Sequence, residues 1–281
     1  MNLDKIISLA LEEDSVLNDI TSKNIISKDI RATAVLMAKC PGVVCGIDVF
    51  KRVFVKLNKD FVFSVIKNDG QKVKKGDIIL KMEGPAYHLL CGERTALNFI
   101  QKLSGIATMT SRFVAIVKNT NTKIYDTRKT IPGFRYISKY AVRCGGGTNH
   151  RMSLSDMVLI KDNHLKLIDN LTEKIKTIRK KHKGILIQVE CETKKHVHDA
   201  LAAKADLIML DNMKKAQLKK MVSFIRNNST KEYRPEIEIS GGVNLKTIKD
   251  YAKLGIDRIS IGMLTHSAPS LDISLKIKVQ N

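Results

Sequence analysis

Hydrophobic residues in the first third of the chain change from a helical spacing to the short runs that are typical of strands. Apolar positions at 3, 6, 7 and 9–11 predict an amphipathic helix over 3–12. A second helix is predicted over about 48–57. Strands are predicted from the apolar runs at 34–38, 43–46 and 61–66. Tight turns that contain glycine, at 68–70, 75–77 and 83–85, predict a β-hairpin after them.

Helical spacing returns at residue 86 and continues to about residue 117. We expect two consecutive helices here, the second beginning at Gly105, because glycine favours the end of a helix over its interior. Arg94 lies in the first of them, where an isolated arginine is ordinarily a solvated surface residue.

Beyond residue 121, apolar runs alternate with amphipathic helical stretches. Strands are predicted at 123–126, 157–160, 185–190, 206–210, 236–239 and 257–261. Helices are predicted between the later strands, at 170–182, 195–203, 214–227 and 245–254. A strand followed by a helix, repeated several times, indicates parallel βα units.

A polar cluster follows each of these strands. The clusters occupy 127–129, 161–164, 190–192, 211–212, 240–242 and 262–266. Since the carboxyl ends of parallel strands meet at one edge, the pattern indicates an α/β barrel with a site at its carboxyl-terminal mouth. A doubly wound sheet is the alternative, although it would concentrate its ligands at one switch point.

The stretch 126–164 concentrates the candidate chemistry of the chain. It contains histidines, a run of three glycines from Gly145, and seven cations: Arg128, Lys129, Arg135, Lys139, Arg143, Arg151 and Lys161. The charges follow no helical face and are interrupted by Pro132 and Gly133. We therefore interpret the stretch as a binding site for an anion and not as a charged surface helix.

Composition and charge place the chain among soluble globular proteins. Of its 281 residues 43% are hydrophobic and 27% charged, and no apolar run reaches the length of a membrane span. The net charge of +21 comes from 37 lysines and 12 arginines spread along the chain. A nucleic-acid-binding protein is the alternative that such a charge suggests, but no nucleic-acid motif accompanies it.

The five cysteines are odd in number, scattered and without CxxC spacing. They predict free thiols in the cytoplasm and no structural zinc site. The acidic N-terminal segment lacks the pattern of a signal peptide, which favours the same location.

Three kinds of group at the strand ends indicate a polyanionic substrate. Arg128, Lys129, His150, Arg151 and Lys161 suit carboxylates and phosphates. Glu190 and Asp211 suit a magnesium ion, and 240–242 before a predicted helix suits a phosphate. No nucleophile has a partnered base, so covalent catalysis is not expected.

Ordered blocks across the whole chain resemble the quinolinate phosphoribosyltransferase family. They are ERTALN at 93–98, LSGIAT at 103–108, DTRKT at 126–130, KYAVR at 139–143, NHR at 149–151, IKDNH at 160–164, LDN at 210–212, SGG at 240–242 and LTHS at 264–267. The resemblance implies an N-terminal open α/β sandwich over 1–104, to which 269–281 returns, and an incomplete α/β (TIM-like) barrel over 105–268.

The resemblance also implies an activity and a set of site residues. Phosphoribosyl would pass from phosphoribosyl pyrophosphate to quinolinate, giving nicotinate mononucleotide, pyrophosphate and carbon dioxide, a step of NAD biosynthesis. The quinolinate site would comprise Arg94, Thr127, Arg128, Lys129, His150, Arg151 and Lys161. Lys129, Lys161, Glu190 and Asp211 would be catalytic, and the two acids would hold Mg²⁺ through the substrate. The phosphoribosyl pyrophosphate loops would contain Ser240, Gly241, Gly242, Ile261, Gly262 and Met263.

The family resemblance further implies a homodimer with shared active sites, in which Arg94 enters the neighbouring subunit, and no nucleic-acid or membrane partner. Three positions depart from the family pattern: Asn18, Ser153 and Gln188. Ser153 replaces a usual glycine, so we expect strain there from a positive φ. A related transferase with another heteroaromatic acid as acceptor is the nearest alternative function.

Overall fold

The structure is a computed structural model that describes residues 3–27 and 29–279, and the chain divides into two compact units. Unit 1 comprises the residues up to Ser111, the segment Lys129–Gly146 and the residues from Met263 onward. Unit 2 comprises Arg112–Arg128 and Gly147–Gly262. The domain boundaries expected from the sequence, at 104 and 268, stay predictions.

The predicted elements occur in the predicted order, and the structure adds elements that the hydrophobic pattern did not predict. The strands are β1 (Arg31–Ala38), β2 (Gly42–Val43), β3 (Val62–Val65), β4 (Lys72–Val73), β5 (Ile78–Pro85), β6 (Lys123–Tyr125), β7 (Val158–Ile160), β8 (Ile187–Cys191), β9 (Leu207–Asp211), β10 (Glu236–Ser240), β11 (Arg258–Ser260) and β12 (Ile273–Val279). The helices are α1 (Leu3–Glu13), α2 (Ile20–Ile25), α3 (Ile47–Leu57), α4 (Ala86–Val117), α5 (Arg135–Cys144), α6 (Asp162–Leu165), α7 (Leu171–Lys181), α8 (Lys194–Ala202), α9 (Lys215–Asn227), α10 (Ile248–Ala252) and α11 (Met263–His266). A 3-10 turn occupies Val16–Asn18. Among the elements that were not predicted are α2, α5, α6, α11 and β12.

Unit 1 contains an antiparallel sheet with the strand order β12-β1-β5-β3 and a small second sheet of β2 and β4. Alternate residues of β1 are buried, so one face of the sheet contributes to the core of the unit. Helix α3 contributes Phe50 and Phe54, whose rings meet edge to face with centroids 5.1 Å apart. This is the N-terminal α/β sandwich that the family resemblance implies.

Helix α4 continues without interruption through Gly105, so the predicted break at this glycine is wrong. The glycine serves close packing instead. A Cβ at this position would lie 2.0 Å from the carbonyl oxygen of Pro269, a contact that no side chain tolerates. Helix α5 was not predicted at all, because its charged residues obscure the buried positions Ile137, Ala141 and Val142.

Unit 2 contains six parallel strands in the order β6-β11-β10-β9-β8-β7. Strands β7 to β11 succeed one another in one direction, and the first strand of the unit, β6, pairs with the last, β11. A doubly wound sheet would reverse direction at a switch point, so this order is that of an incomplete α/β barrel. All six predicted strands are confirmed.

Strands β8 and β9 are buried along almost their whole length, as expected for parallel strands covered on both faces. Their register is continuous with β10, since Glu190 pairs with Met209 and Asp211 pairs with Ser240. The carboxyl ends of these strands therefore form one edge. Across the described residues 3–27 and 29–279, no helix is both long enough and apolar enough to cross a membrane.

Candidate active site

Unit 2 brings most of the predicted site residues to the carboxyl edge of its parallel strands. Thr127 and Arg128 follow β6, Lys161 follows β7, and Ile261 and Gly262 follow β11. Three further residues lie within strands β8, β9 and β10, at or next to the carboxyl end of each: Glu190, Asp211 and Ser240. This placement follows from the parallel order, because every strand of such a sheet ends at the same side.

Arg128 and Arg151 form a pair of neighbouring guanidinium groups at this edge. Arg151 Nη1 donates to the carbonyl oxygen of Met157 at 3.1 Å. Burial, and then the positive charge of Arg128, lower the pKa of Arg151. The Nε of Arg128 is buried without a hydrogen-bond partner among the described residues. Two partly buried like charges with unused donors favour a bound anion, which would relieve both their repulsion and the unmet hydrogen bond.

The buried carboxylate of Asp126 holds the segment that carries His150 and Arg151. It accepts hydrogen bonds from Asn149 Nδ2 at 2.6 Å and from the backbone N–H of His150 at 2.9 Å. The backbone N–H of Asp126 donates in turn to the carbonyl of Thr148 at 3.2 Å. Asp126 thus positions the cationic side chains without being one of the predicted ligands.

The imidazole of His150 lies inside the barrel, where its side chain is 6% exposed. Its Nδ1 accepts from the backbone N–H of Arg151 at 2.9 Å, and its Nε2 lies 3.1 Å from Gln188 Oε1. Gln188 Nε2 donates to Glu238 Oε2 at 2.9 Å, which is also 3.4 Å from His150 Nε2. The departure at position 188 now has a reason, since an acid there would face the buried carboxylate of Glu238.

Glu238 is a residue of this site that the sequence reasoning missed. It is fully buried on β10. Burial acts to raise the pKa of Glu238, but its hydrogen bonds with His150 and with the amide of Gln188 bring it below the ordinary value of 4.5. The sequence did contain a signal for this residue, because an acid within a strand that is covered on both faces must be buried.

We expect Glu238→Gln to reduce the acid sensitivity of the fold. Ionised Glu238 stabilises the fold above pH 4.5, and this contribution is lost as the pH falls through its lower folded-state pKa. Urea unfolding at pH 6 and pH 4 should show a loss in the parent chain that the variant lacks, of at most about 0.8 kcal/mol, because an unfolded-state carboxyl with a pKa of 4.5 has released only part of this contribution at pH 4. Glu192→Gln, at an exposed carboxylate, is the control. Equal pH dependence in the parent and Glu238→Gln would contradict the role.

Lys161 and Glu190 are in direct contact. Lys161 Nζ donates to Glu190 Oε2 at 2.8 Å, with the lysine side chain 47% exposed and the glutamate 8% exposed. On the next strand, Asp211 Oδ2 accepts from Asn212 Nδ2 at 2.6 Å. Each carboxylate therefore keeps one oxygen that has no hydrogen-bond partner among the described residues.

The loop 240–242 approaches the loop after β9 very closely. A Cβ on Gly241 would lie 2.1 Å from Asn212 Oδ1 and 2.8 Å from Asn212 N, and φ of Gly241 is +90°. Gly242 also has a positive φ of +62°, with open space around it. Both glycines are therefore needed for the backbone of this loop, whose exposed N–H groups could bind phosphate oxygens.

Ser153 does not carry the strain that its replacement of glycine suggests. The described residues other than glycine with a positive φ are Ser15, Lys204 and Asn212, so the expected strain at Ser153 is wrong. Instead, Ser153 Oγ donates to Asp156 Oδ1 at 2.7 Å and its N–H donates to Oδ2 at 3.1 Å. The serine closes a turn that a glycine would leave without this hydroxyl bond.

Three predicted site residues belong to unit 1. Arg94 is exposed on α4, beside a cavity of about 450 Å³ that Asn98 and Lys102 also line. It has no hydrogen-bond partner among the described residues. Lys129 is exposed, and its carbonyl accepts from Thr265 Oγ1 at 2.7 Å. Met263 begins the short helix α11.

Two protein-family models together match most of the chain. The model for the "Quinolinate phosphoribosyl transferase, N-terminal domain" matches residues 19–104, and the model for the C-terminal domain of the same family matches residues 106–276.

Similar proteins carry corresponding names. A "Probable nicotinate-nucleotide pyrophosphorylase [carboxylating]" of Bacillus subtilis is 38% identical, with 100% of this chain and 95% of the relative covered. The protein of the same name in Methanocaldococcus jannaschii is 41% identical, with 97% and 96% covered. The crystal structure of NadC from Streptococcus pyogenes aligns with a TM-score of 0.92 at 38% identity, covering 99% of this chain and 97% of that one.

Proposed function

Because the chain belongs to the quinolinate phosphoribosyltransferase family, we propose that it transfers phosphoribosyl from phosphoribosyl pyrophosphate to quinolinate with loss of carbon dioxide. The products are nicotinate mononucleotide and pyrophosphate, and the reaction is a step of NAD biosynthesis. We also propose that the protein acts in the cytoplasm, because its five cysteines are scattered and free.

The neighbouring guanidinium groups of Arg128 and Arg151 carry this proposal. Quinolinate has two adjacent carboxylates, and two arginines with unused donors can bind them with bidentate geometry. A monocarboxylate such as nicotinate would leave one of these partly buried cations unneutralised. The site therefore favours a dicarboxylate over the acceptors of a related transferase.

The residues present fit a magnesium ion held together with the pyrophosphate. Glu190 and Asp211 lie at the carboxyl ends of the adjacent strands β8 and β9, and each has one oxygen still available. Mg²⁺ prefers a few carboxylates together with substrate oxygens. When bound, it would offset the negative charge of the departing pyrophosphate.

The protein contributes alignment and electrostatic stabilisation to the reaction. Lys161 places a positive charge beside Glu190 and towards the leaving pyrophosphate, and we assign the same role to Lys129. Glu190 and Asp211 stabilise the positive charge that develops on the ribose ring as the bond from the anomeric carbon to pyrophosphate breaks. The arginine pair orients the pyridine nitrogen, whose lone pair forms the new bond to the anomeric carbon.

Decarboxylation follows from the charge on the ring. After the nitrogen is alkylated, the bond between C2 and its carboxylate breaks, and the electron pair remains at C2, where the adjacent cationic nitrogen stabilises it. A proton then replaces carbon dioxide at C2. The cations of the site hold the remaining 3-carboxylate during this step.

Replacement of the acids should change the dependence of the rate on Mg²⁺. We expect Glu190→Gln and Asp211→Asn each to raise the Mg²⁺ concentration at half-maximal rate about tenfold or more. Steady-state rates over a magnesium series measure this concentration, with Glu192→Gln as the matched control. An unchanged magnesium dependence in both variants would exclude the assignment.

We further propose that the protein is a homodimer whose active sites are shared, with Arg94 reaching the site of the neighbouring subunit. The support is that Arg94 is an exposed cation without a hydrogen-bond partner among the described residues. The family resemblance described under the sequence analysis implies the same role for Arg94.

The proposed activity is tested by release of carbon dioxide from carboxyl-labelled quinolinate. Release that requires both phosphoribosyl pyrophosphate and Mg²⁺ is the expected result. Phosphoribosyl transfer to nicotinate or another heteroaromatic acid, with no release from quinolinate, would identify a related transferase instead.

A further inference from the structure

Three side chains that are distant in the sequence meet within unit 1. They are the thiols of Cys45 and Cys144 and the carboxylate of Asp69, whose ligand atoms all lie within 4.8 Å of one another. Cys45 is buried between β2 and α3, Asp69 lies in the turn after β3, and Cys144 is the last residue of α5. None of them belongs to the proposed transfer site.

Hydrogen bonds hold the carboxylate of Asp69 in a fixed orientation. Oδ1 accepts from the backbone N–H groups of Gly46 at 2.9 Å and Ile47 at 3.1 Å. Oδ2 accepts from the phenol of Tyr140 at 2.8 Å. Such outer hydrogen bonds are the ones that orient a ligating carboxylate in a metal site.

The hydrogen bond between the two thiols shifts their pKa values in opposite directions. Hydrogen bonding with Cys45 holds the pKa of Cys144 below its usual value, and the same interaction raises the pKa of Cys45. Arg143 also favours the anionic form of Cys144. The cluster thus offers two sulfurs and one carboxylate to a cation, and the carboxyl end of α5 adds the negative end of a helix dipole.

We propose that Cys45, Asp69 and Cys144 form a zinc(II) site, with water as the fourth ligand. Two sulfurs and one carboxylate oxygen suit zinc better than magnesium or calcium, which prefer oxygen alone. In a tetrahedral zinc site the ligand atoms lie roughly 3.3–3.8 Å apart, so small side-chain rotations close the present cluster around the ion. Binding releases to solvent the protons that the two thiols carry.

A cavity next to the cluster gives an ion access to it, and a bound ion would link three segments of unit 1. A cavity of about 470 Å³ is lined by Gly46, Arg52, Asp69 and Tyr140, which gives water and ions access to the carboxylate. The bound ion would tie the start of α3, the turn after β3 and the end of α5 to one another. Spacing alone predicted no structural zinc, because positions 45, 69 and 144 form no motif.

Cobalt(II), which takes tetrahedral zinc sites and absorbs light, tests the proposal. The full-length protein is reduced, stripped with a chelator and titrated with Co²⁺. We expect thiolate-to-cobalt absorption that saturates at one ion per chain and is displaced by one equivalent of Zn²⁺. Cys45→Ser and Cys144→Ser should abolish this absorption, and Asp69→Asn should weaken cobalt binding at least about tenfold.

Cys40→Ser is the matched control, since Cys40 is a partly exposed cysteine of the same unit that lies outside the cluster. It should leave the cobalt spectrum unchanged. A thermal-unfolding arm covers the case in which Cys45→Ser does not fold. Zn²⁺ at about 100 times its Kd should raise the Tm of the parent protein by roughly 5 °C and leave that of Cys144→Ser unchanged.

Two results would overturn the proposal. One is the absence of thiolate absorption, or absorption that survives in both Cys45→Ser and Cys144→Ser. The other is a disulfide-linked Cys45–Cys144 peptide as the main product of oxidised glutathione in the presence of saturating Zn²⁺. That product would identify the pair as a redox couple, because zinc-bound thiolates should resist the oxidation.

Discussion

Arg94→Ala is expected to lower kcat/KM for quinolinate at least about 100-fold, the loss typical of removing one member of a desolvated charge pair. The arginine is exposed on α4 and makes no hydrogen bond within the described chain, so its removal should not unfold the protein. Steady-state kinetics together with a thermal-unfolding curve of the variant measure both expectations.

Subunit mixing shows in which subunit Arg94 acts. A heterodimer of Arg94→Ala and Lys161→Ala has one site in which both residues are intact, if the site takes Lys161 from one chain and Arg94 from the other. Equal amounts of the two variants, after exchange of subunits, should therefore recover about one quarter of the parent activity. A heterodimer in which Arg94 acts within its own chain recovers nothing.

The matched control mixes Arg128→Ala with Lys161→Ala, two changes that we place in the same site of one chain. This mixture should stay inactive after the same exchange, which is verified with two affinity tags. Recovery in the control, or no recovery with Arg94→Ala once exchange is shown, would contradict the shared site.

Arg128→Ala is expected to cost about 2–4 kcal/mol of transition-state binding, or roughly 30- to 1000-fold in kcat/KM for quinolinate. The buried Nε of Arg128 has no partner in the described chain, and Arg151 lies close enough for its pKa to be lowered by this charge. Removal of Arg128 thus removes a substrate ligand without breaking a hydrogen bond of the fold. Arg151→Ala should act in the same direction, with added loss of its bond to Met157.

The loss of kcat/KM in Arg128→Ala should appear mainly when quinolinate is the substrate whose concentration is varied. Arg128→Lys should recover little, because a lysine cannot form the bidentate contact of a guanidinium group with a carboxylate. Arg112→Ala removes an exposed arginine of the same unit and is the control. A parent-like kcat/KM in Arg128→Ala would show that the arginine pair does not bind quinolinate.

The alternation of apolar and polar residues was enough to predict the architecture of unit 2. Parallel strands such as β8 and β9 are covered on both faces, so each is a continuous apolar run that ends sharply in polar residues. Because these polar residues follow the apolar runs, the sequence also predicted that Lys161, Glu190 and Asp211 lie at the carboxyl edge. In α4 and α5 the pattern was ambiguous, because one helix contains a glycine and the other carries charges between its buried positions.

By itself, then, the sequence determined the order of most elements, the barrel and the residues at its strand ends, because these depend on local periodicity and on the direction of the strands. Only the tertiary structure decided which distant side chains meet. The contact of Gln188 with Glu238, the close approach of Gly105 to Pro269 and the cluster of Cys45, Asp69 and Cys144 each join segments far apart in the chain. Such contacts depend on how the elements pack against one another, and no spacing within a single segment records that packing.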